Sequence, residues 1–518
     1  MAKVRVRFAP SPTGPLHIGG LRTALYNFLF ARKHDGTFIL RIEDTDQQRY
    51  VDGAEEYIKE ALLWSGLQPD EGPDQGGQYG PYRQSERKTI YQKHVSMLID
   101  LGHAYYAFDT PEELDTMRKS EIERGNHIPK YDHRVRMEMK NALTLDQATV
   151  SRLLEEGVPY TVRMKVPEDK VVTFKDRIRE SVGFETSELD DKVILKADGL
   201  PTYHLANVVD DHLMNITHVI RGEEWLSSTA HHVLLYEGFG WEETMPEFAH
   251  LPLILKPGGS GKLSKRDGQK FGFPVFPLEW MPEKNSESFE GFRSAGFYAP
   301  AVINFLAMLG WNPGTEQEIF SMDELIQSFD LSQVSKSGAR FDFDKALWFN
   351  AQYLQGLTAD QLYSLASHYF EEKGYSTSTD KMKRICELFR ERVQTVKQIP
   401  VAASFFFEEV STFEEKTVRK KWREELRAPY SKISEIIETL HPFQSDHIKT
   451  RVNDYIKAQQ LKFGNVLPLI RLAISGTAGG PDLFEVLEVM GQSTAVARLK
   501  SGPQHFDRIS VDAGTHTS

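Results

Sequence analysis

An α/β protein with a doubly wound nucleotide-binding fold, extended by an all-helical C-terminal region, is the fold class the sequence predicts. Three observations carry it. A strand, a glycine turn, a helix and a second strand follow one another up to Ile42, the unit that opens such a fold. The 518 residues exceed the size at which a single core keeps growing, so three or more domains are expected. From Ala346 onward apolar residues recur at helical spacing, as in Leu362, Leu365, Ala366 and Tyr369 and again in Ile433, Ile436, Ile437 and Leu440.

Val4, Val6 and Phe8 alternate with Lys3, Arg5 and Arg7, the period of a strand, ahead of a turn rich in Pro and Gly. Leu21, Ala24, Leu25, Phe28 and Leu29 then form one apolar helical face, and Phe38 to Ile42 reads as the next strand. Gly19 and Gly20 stand at the mouth of the helix, where unpaired N–H groups and the helix dipole favour a phosphate. His17 beside them is a donor able to follow a phosphate oxygen as it gains charge. Alone, a histidine before two glycines is more often an ordinary turn residue. A second element sharpens the reading: Gly261-Lys262-Leu263-Ser264-Lys265-Arg266 crowds three cations into one turn of a Gly- and Pro-rich loop.

Composition sets bounds. The single cysteine, Cys386, excludes a disulfide framework, and the absence of a secretory signal and of a long apolar run makes the cytosol the expected compartment, with no membrane partner. The net charge of -12 argues against a uniformly basic surface, although acidic enzymes can hold local basic tracks. One such track is 416–427, where Arg419, Lys420, Lys421, Arg423 and Arg427 surround Trp422; a solvated helix face partnered by Glu424 and Glu425 explains it equally well.

The two cationic and glycine-rich elements resemble the signatures of class I aminoacyl-tRNA synthetases, HIGH as HIGG at 17–20 and KMSKS as KLSKR at 262–266. RFAPSPTG (7–14), RIEDTD (41–46), GPYRQSER (80–87), PTYHLANVVDDH (201–212) and VIRGEEWL (219–226) are similar to the bacterial glutamyl-tRNA synthetases, and the resemblance runs to about Arg498. It implies ATP-dependent ligation of L-glutamate to the 3′ end of tRNA-Glu through a glutamyl-adenylate, releasing AMP and pyrophosphate, by a cytoplasmic monomer.

The resemblance also implies roles. His17, Lys262 and Lys265 would be catalytic, and with Gly19, Gly20, Leu263, Ser264 and Arg266 would bind ATP accompanied by Mg²⁺. Gly20 stands at the fourth HIGH position, so a second histidine cannot contribute. Arg7 and Arg221 would pair with glutamate carboxylates, Glu43 would take the α-amino group, and Ala9, Ser11, Tyr203, Asn207 and Trp225 would complete the pocket. Taken singly, Trp225 and Tyr203 would be core residues and Arg7 an edge-strand cation. Arg392, in a segment that reads as helical, would read the third anticodon base; the competing reading pairs it with Glu387 or Glu391 on a helix surface.

By the same resemblance, 1–83 and 192–257 form a split Rossmann-type catalytic domain, 84–191 an α+β insertion that binds the acceptor stem, 258–345 the KMSKS loop and a connecting stem-contact domain, and 346–500 the anticodon-binding region. In the insertion, 111–124 reads as a charged helix and Tyr160 to Val166 as a strand. Some relatives hold zinc there; this chain has Ala107, Asp109, Val135 and Met137 at the corresponding positions, so no zinc is expected. Phe271 to Ser288 exceeds the usual family length and reads best as a packed loop, with a lid or a tRNA patch as alternatives. The polar 501–518 is expected to be disordered.

Three rivals are distinguishable. A glutaminyl-tRNA synthetase would end in β-barrels, a tRNA-modifying glutamyl transferase would lack the anticodon region, and a catalytically dead tRNA-binding paralogue would have no reason to keep both signatures.

Overall fold

Strand β1 (Arg5–Phe8) pairs in parallel with β2 (Thr37–Leu40), Arg5 opposite Thr37, and the helix Ile18–Lys33 joins them. The computed structural model describes residues 3–259, 261–282 and 288–511, and the chain divides into two units, 1–294 with 299–345, and 295–298 with 346–518.

In the first unit the nucleotide fold is interrupted after β2. Strands β3 (Ala104–Ala107), β4 (Thr161–Met164) and, after the interruption, β7 (Val193–Leu195) form a separate antiparallel sheet in the order β3-β4-β7. Here the predicted strand at Tyr160 to Val166 contracts to four residues, and the predicted charged helix is Pro111–Glu123, opened by a reciprocal Thr110–Glu113 capping box. Strands β5 (Val171–Asp176) and β6 (Glu180–Glu185), expected within the insertion, form a hairpin whose β5 extends the parallel pair β8 (His218–Gly222) and β9 (Glu247–Leu251), in the order β6-β5-β9-β8. The physical reason is a shared core: Val172 and Phe174 of β5 alternate inward and pack in one cluster with Val219 and Phe248.

β1 lies beside β8, where the Thr217 amide donates to the Arg5 carbonyl at 2.9 Å, so the parallel strands run β2, β1, β8, β9, β5. Helices cover both faces, as doubly wound sheets require. Phe38 meets Phe28 of the helix Ile18–Lys33 edge to face at 5.8 Å, while the adjacent Ile39 joins the opposite core with Leu205 and Val209 of the helix Tyr203–Leu213 and Val233 of the helix Ser228–Phe239. Chain order reverses between β1 and β8, and that switch point is where an open α/β sheet leaves a crevice.

Two short parallel strands, β10 (Ile254–Leu255) and β11 (Ala339–Arg340), flank the segment that carries the KLSKR turn. Within 271–288, Val275, Phe276 and Leu278 are buried and the Val275 carbonyl accepts the Ile18 amide at 3.0 Å, so this stretch is a packed loop under the HIGG turn; 283–287 lies outside the described residues.

The second unit is helical at every regular element among its described residues, with cores built from Leu362, Ala366 and Tyr369 and from Ile433, Ile437 and Leu440. Disorder was expected from Ser501; instead the helix Gln492–Val511 runs through it, and 512–518 lies outside the described residues. The cause is a buried Phe506 together with Asp507, which accepts from the Trp422 indole at 2.7 Å and from Arg427 at 2.5 Å. That also resolves the basic track: Trp422 is core and Arg419 pairs with Glu415, which favours the reading of a partnered helix face.

Candidate active site

A cavity of about 560 Å³ opens at the switch point. Its wall includes all eight residues expected around glutamate and every residue expected around ATP except Arg266, which is exposed outside it. The first helix sets one end of the cavity. His17 is its N-cap, and the Gly19 amide donates to His17 Nδ1 at 3.1 Å. The Gly19 N–H is therefore not unpaired as expected, and Ile18 donates to Val275; among the described residues the Gly20 amide is without a partner. A Cβ on Gly20 would meet only the end of the Leu16 side chain, at 2.6 Å, which can turn aside, so packing alone does not require glycine there.

Burial, reinforced by Lys265 and Lys262, pushes the His17 imidazole down to about 4, so the ring is neutral at physiological pH. Because Nδ1 accepts from Gly19, the proton sits on Nε2, a buried donor with no partner among the described residues. Across the cavity Leu263 is buried and bonded to β10, which fixes its turn, while Lys262 pairs with Glu224 at 2.8 Å. The expected loop turns helical at Lys265: Ser264 caps the helix Lys265–Phe271 in a reciprocal bond with Asp267.

The other end is a buried array of charges. Arg7, on a central strand and 3% exposed rather than at an edge, donates bidentately to Asp211 at 3.0 and 3.2 Å. Arg41 bridges Asp211 at 2.7 Å and Glu43 at 3.1 Å, and Arg87 donates to Asp210 at 2.7 Å. Glu43 Oε1 accepts from Arg41 and Asn207, and Oε2 takes no hydrogen bond among the described residues; burial pushes its carboxyl above the usual range despite Arg41 and Arg7. Arg221 differs. It donates to Tyr203 Oη and Thr229 Oγ1, each at 2.8 Å, and to His250 Nε2 at 3.1 Å, so none of these partners carries negative charge. Trp225 is 39% exposed and lies against Tyr203, the rings tilted by 32° with centroids 4.3 Å apart, placing both at the cavity rim rather than in the core.

Sequence reasoning named neither Asp211, Arg41, His250 nor Thr229 individually. Asp211 and Arg41 lay inside motifs already singled out, where a charge facing an arginine was the available signal; His250 carried none. Arg392 follows the helix Thr379–Phe389 instead of lying on it and borders a cavity of about 430 Å³ with Arg471; among the described residues no ion pair joins it to Glu387, which is held by Arg384 at 3.1 Å, or to Glu391. At the positions compared with the zinc ligands of some relatives, Ala107 and Val135 pack with Tyr105 and Tyr131, and Asp109 accepts from Tyr131 at 2.8 Å.

A nucleotide crevice at the C-terminal edge of parallel strands, walled by HIGG and KLSKR turns, followed by a helical unit, is the arrangement of a class I tRNA synthetase. Residues 3–348 match the family of tRNA synthetases class I (E and Q), catalytic domain, and 361–503 match the anticodon binding domain. The chain belongs to the glutamate–tRNA ligase family: it is 51% identical to the Bacteroides fragilis enzyme (96% of this chain, 98% of that one) and 48% to that of Amoebophilus asiaticus (96% and 97%). The crystal structure of a glutamate tRNA ligase from Elizabethkingia meningosepticum in complex with its amino acid superposes with a TM-score of 0.92 at 48% identity, covering 97% of this chain and 99% of that one.

Proposed function

We propose that this glutamate–tRNA ligase activates glutamate in the cavity between His17 and Arg221 and transfers it to tRNA-Glu. The observation that carries the reading is Arg221, a buried guanidinium whose acceptors are all neutral side chains and a carbonyl; of the other two arginines lining the cavity, Arg7 is matched by the Asp211 carboxylate and Arg22 is committed to the Pro252 and Leu309 carbonyls. Such a cation favours a ligand carboxylate, and glutamine in its place would forfeit a charge-assisted bond. Glu43, with Oε2 free, receives the α-ammonium.

The substrate carboxylate attacks the α-phosphorus in line, so the protein supplies positioning and charge neutralisation and needs no nucleophile of its own. The Nε2–H of His17 and the Gly20 amide meet the phosphates, and Lys262 and Lys265 neutralise the departing pyrophosphate, Lys262 first leaving Glu224. Mg²⁺ enters with ATP, held by phosphate and water oxygens. The β3–β4 part of the insertion is assigned to the acceptor end without zinc, 258–345 to the stem, and the helical unit with Arg392 to the anticodon. Among the described residues no helix is long and apolar enough to cross a membrane; we assign the chain to the cytoplasm as a monomer.

Glutamate-dependent pyrophosphate exchange, run with and without tRNA-Glu, tests the reading. Exchange with glutamate and not glutamine, followed by charging of tRNA-Glu, is the expected result; exchange with glutamine at similar kcat/KM overturns it.

A further inference from the structure

We propose that Asp176 and His250 are positioning residues that hold the Arg221 guanidinium for the substrate carboxylate, so that glutamate selection depends on β5, a strand that lines no part of the cavity. The inference rests on the reading that Arg221 binds glutamate.

Arg221 of β8 and His250 of β9 are direct register partners, and Arg221 Nε donates to His250 Nε2 at 3.1 Å. An arginine nitrogen can only donate, so Nε2 must accept and the ring proton must sit on Nδ1. Nδ1 donates in turn to Asp176 Oδ2 at 2.6 Å. Asp176 is itself pinned by the amides of Ile178 at 2.9 Å, Arg179 at 2.7 Å and His250 at 3.1 Å. Burial lowers the His250 pKa against the opposing pull of Asp176, in keeping with a neutral ring.

Two consequences follow from this chain of bonds. The guanidinium is planar, so fixing Nε, with Thr229 and Tyr203 on its two other nitrogens, fixes the whole fork. A neutral imidazole also keeps the Asp176 carboxylate one residue removed from Arg221. An acid directly on the fork would compete with the substrate carboxylate, as Asp211 does on Arg7. The arrangement orients the cation without cancelling its charge.

The test uses the full-length enzyme and pyrophosphate exchange with tRNA-Glu present. Asp176→Asn turns its amide donor toward His250 Nδ1, forcing the proton onto Nε2, where it opposes Arg221 N–H; the expected result is a glutamate KM raised roughly tenfold or more with ATP KM unchanged. His250→Gln can both accept from Arg221 and donate to Asp176 and is expected to stay near the parent, whereas His250→Leu follows Asp176→Asn. Parent-like glutamate KM in Asp176→Asn, or equal rises for glutamate and ATP, overturns the inference. If thermal melting shows Asp176→Asn unfolded at assay temperature, the two His250 variants decide it, and equal glutamate KM in Gln and Leu overturns it. Arg221→Ala is the control: a raised glutamate KM there beside a parent-like Asp176→Asn removes this inference alone, and an unchanged KM removes the role of Arg221 as well.

Discussion

On the proposed reading His17 performs two separable tasks, and replacing it with Asn or Ala distinguishes them. As N-cap it accepts the Gly19 amide through Nδ1, a bond whose loss costs about 1 kcal/mol of stability. As donor it offers a buried Nε2–H to a phosphate oxygen, and losing such a preorganised donor costs about 2.7–4 kcal/mol of barrier, a rate loss of about 10²–10³. Asparagine is among the best N-caps but its shorter amide does not reach where Nε2 lies. His17→Asn should therefore melt like the parent and form adenylate about 10²-fold more slowly in single-turnover quench-flow with tRNA present, while His17→Ala should lose both. Sign matters for pH: a histidine held at about 4 is neutral across the assay range, so the activation rate should show no break near the ordinary histidine pKa on its account. Its contribution to stability is complete above the unfolded value and is lost as pH falls toward 4. An Asn variant with the parent's activation rate, or one as destabilised as Ala, would refute the division of labour.

Lys265→Ala should slow adenylate formation by about 10²-fold while leaving glutamate binding little changed, and an unchanged single-turnover rate would remove Lys265 from the chemistry. Asp211→Asn takes one charge from between Arg7 and Arg41 and turns a donor toward one of them; breaking such a buried pair costs about 3–5 kcal/mol, which calorimetry should register as a Tm several degrees lower. For that carboxyl, burial opposes ionisation but Arg7 and Arg41 win and hold it below its usual range, so its stabilisation is present at neutral pH and is lost as pH falls from the ordinary carboxylate value through that lowered one. If Arg392 reads the third anticodon base, the parent should reject tRNA-Gln and Arg392→Gln should relax that rejection by about 1–3 kcal/mol, measured as the ratio of kcat/KM for the two tRNAs; similar charging of both by the parent would end the assignment.

Much of the first unit was legible because its signals are local. Alternation gave β1, a 3.6-residue period gave the helix Ile18–Lys33, and the glycines between them located the crevice. What escaped notice depends on partners distant in sequence. The hairpin β5–β6 alternates plainly, yet nothing in 171–185 states that β5 will add to β9, some seventy residues on, instead of staying with the insertion. The C-terminal helix shows the opposite failure: Leu499, Gly502, Phe506 and Ile509 share one face, but a polar composition outweighed that spacing until Phe506 was seen buried beside Trp422.

The charges in the cleft explain why residue type alone could not rank the arginines. Arg7, Arg41 and Arg221 look alike in sequence, and each is buried to a similar degree. Burying a guanidinium is tolerable when a carboxylate meets it, as Asp211 meets two of them, and that matching stabilises the site without reserving anything for a ligand. Arg221 is instead solvated by a phenol, a hydroxyl and an imidazole, dipoles that lower the cost of holding the charge while leaving it uncancelled. The difference is carried by acceptors drawn from three separate elements, so the uncancelled charge is a property of how β9 and two helices converge on Arg221 of β8, and a search for more cations in the sequence would have pointed to the arginines already spoken for.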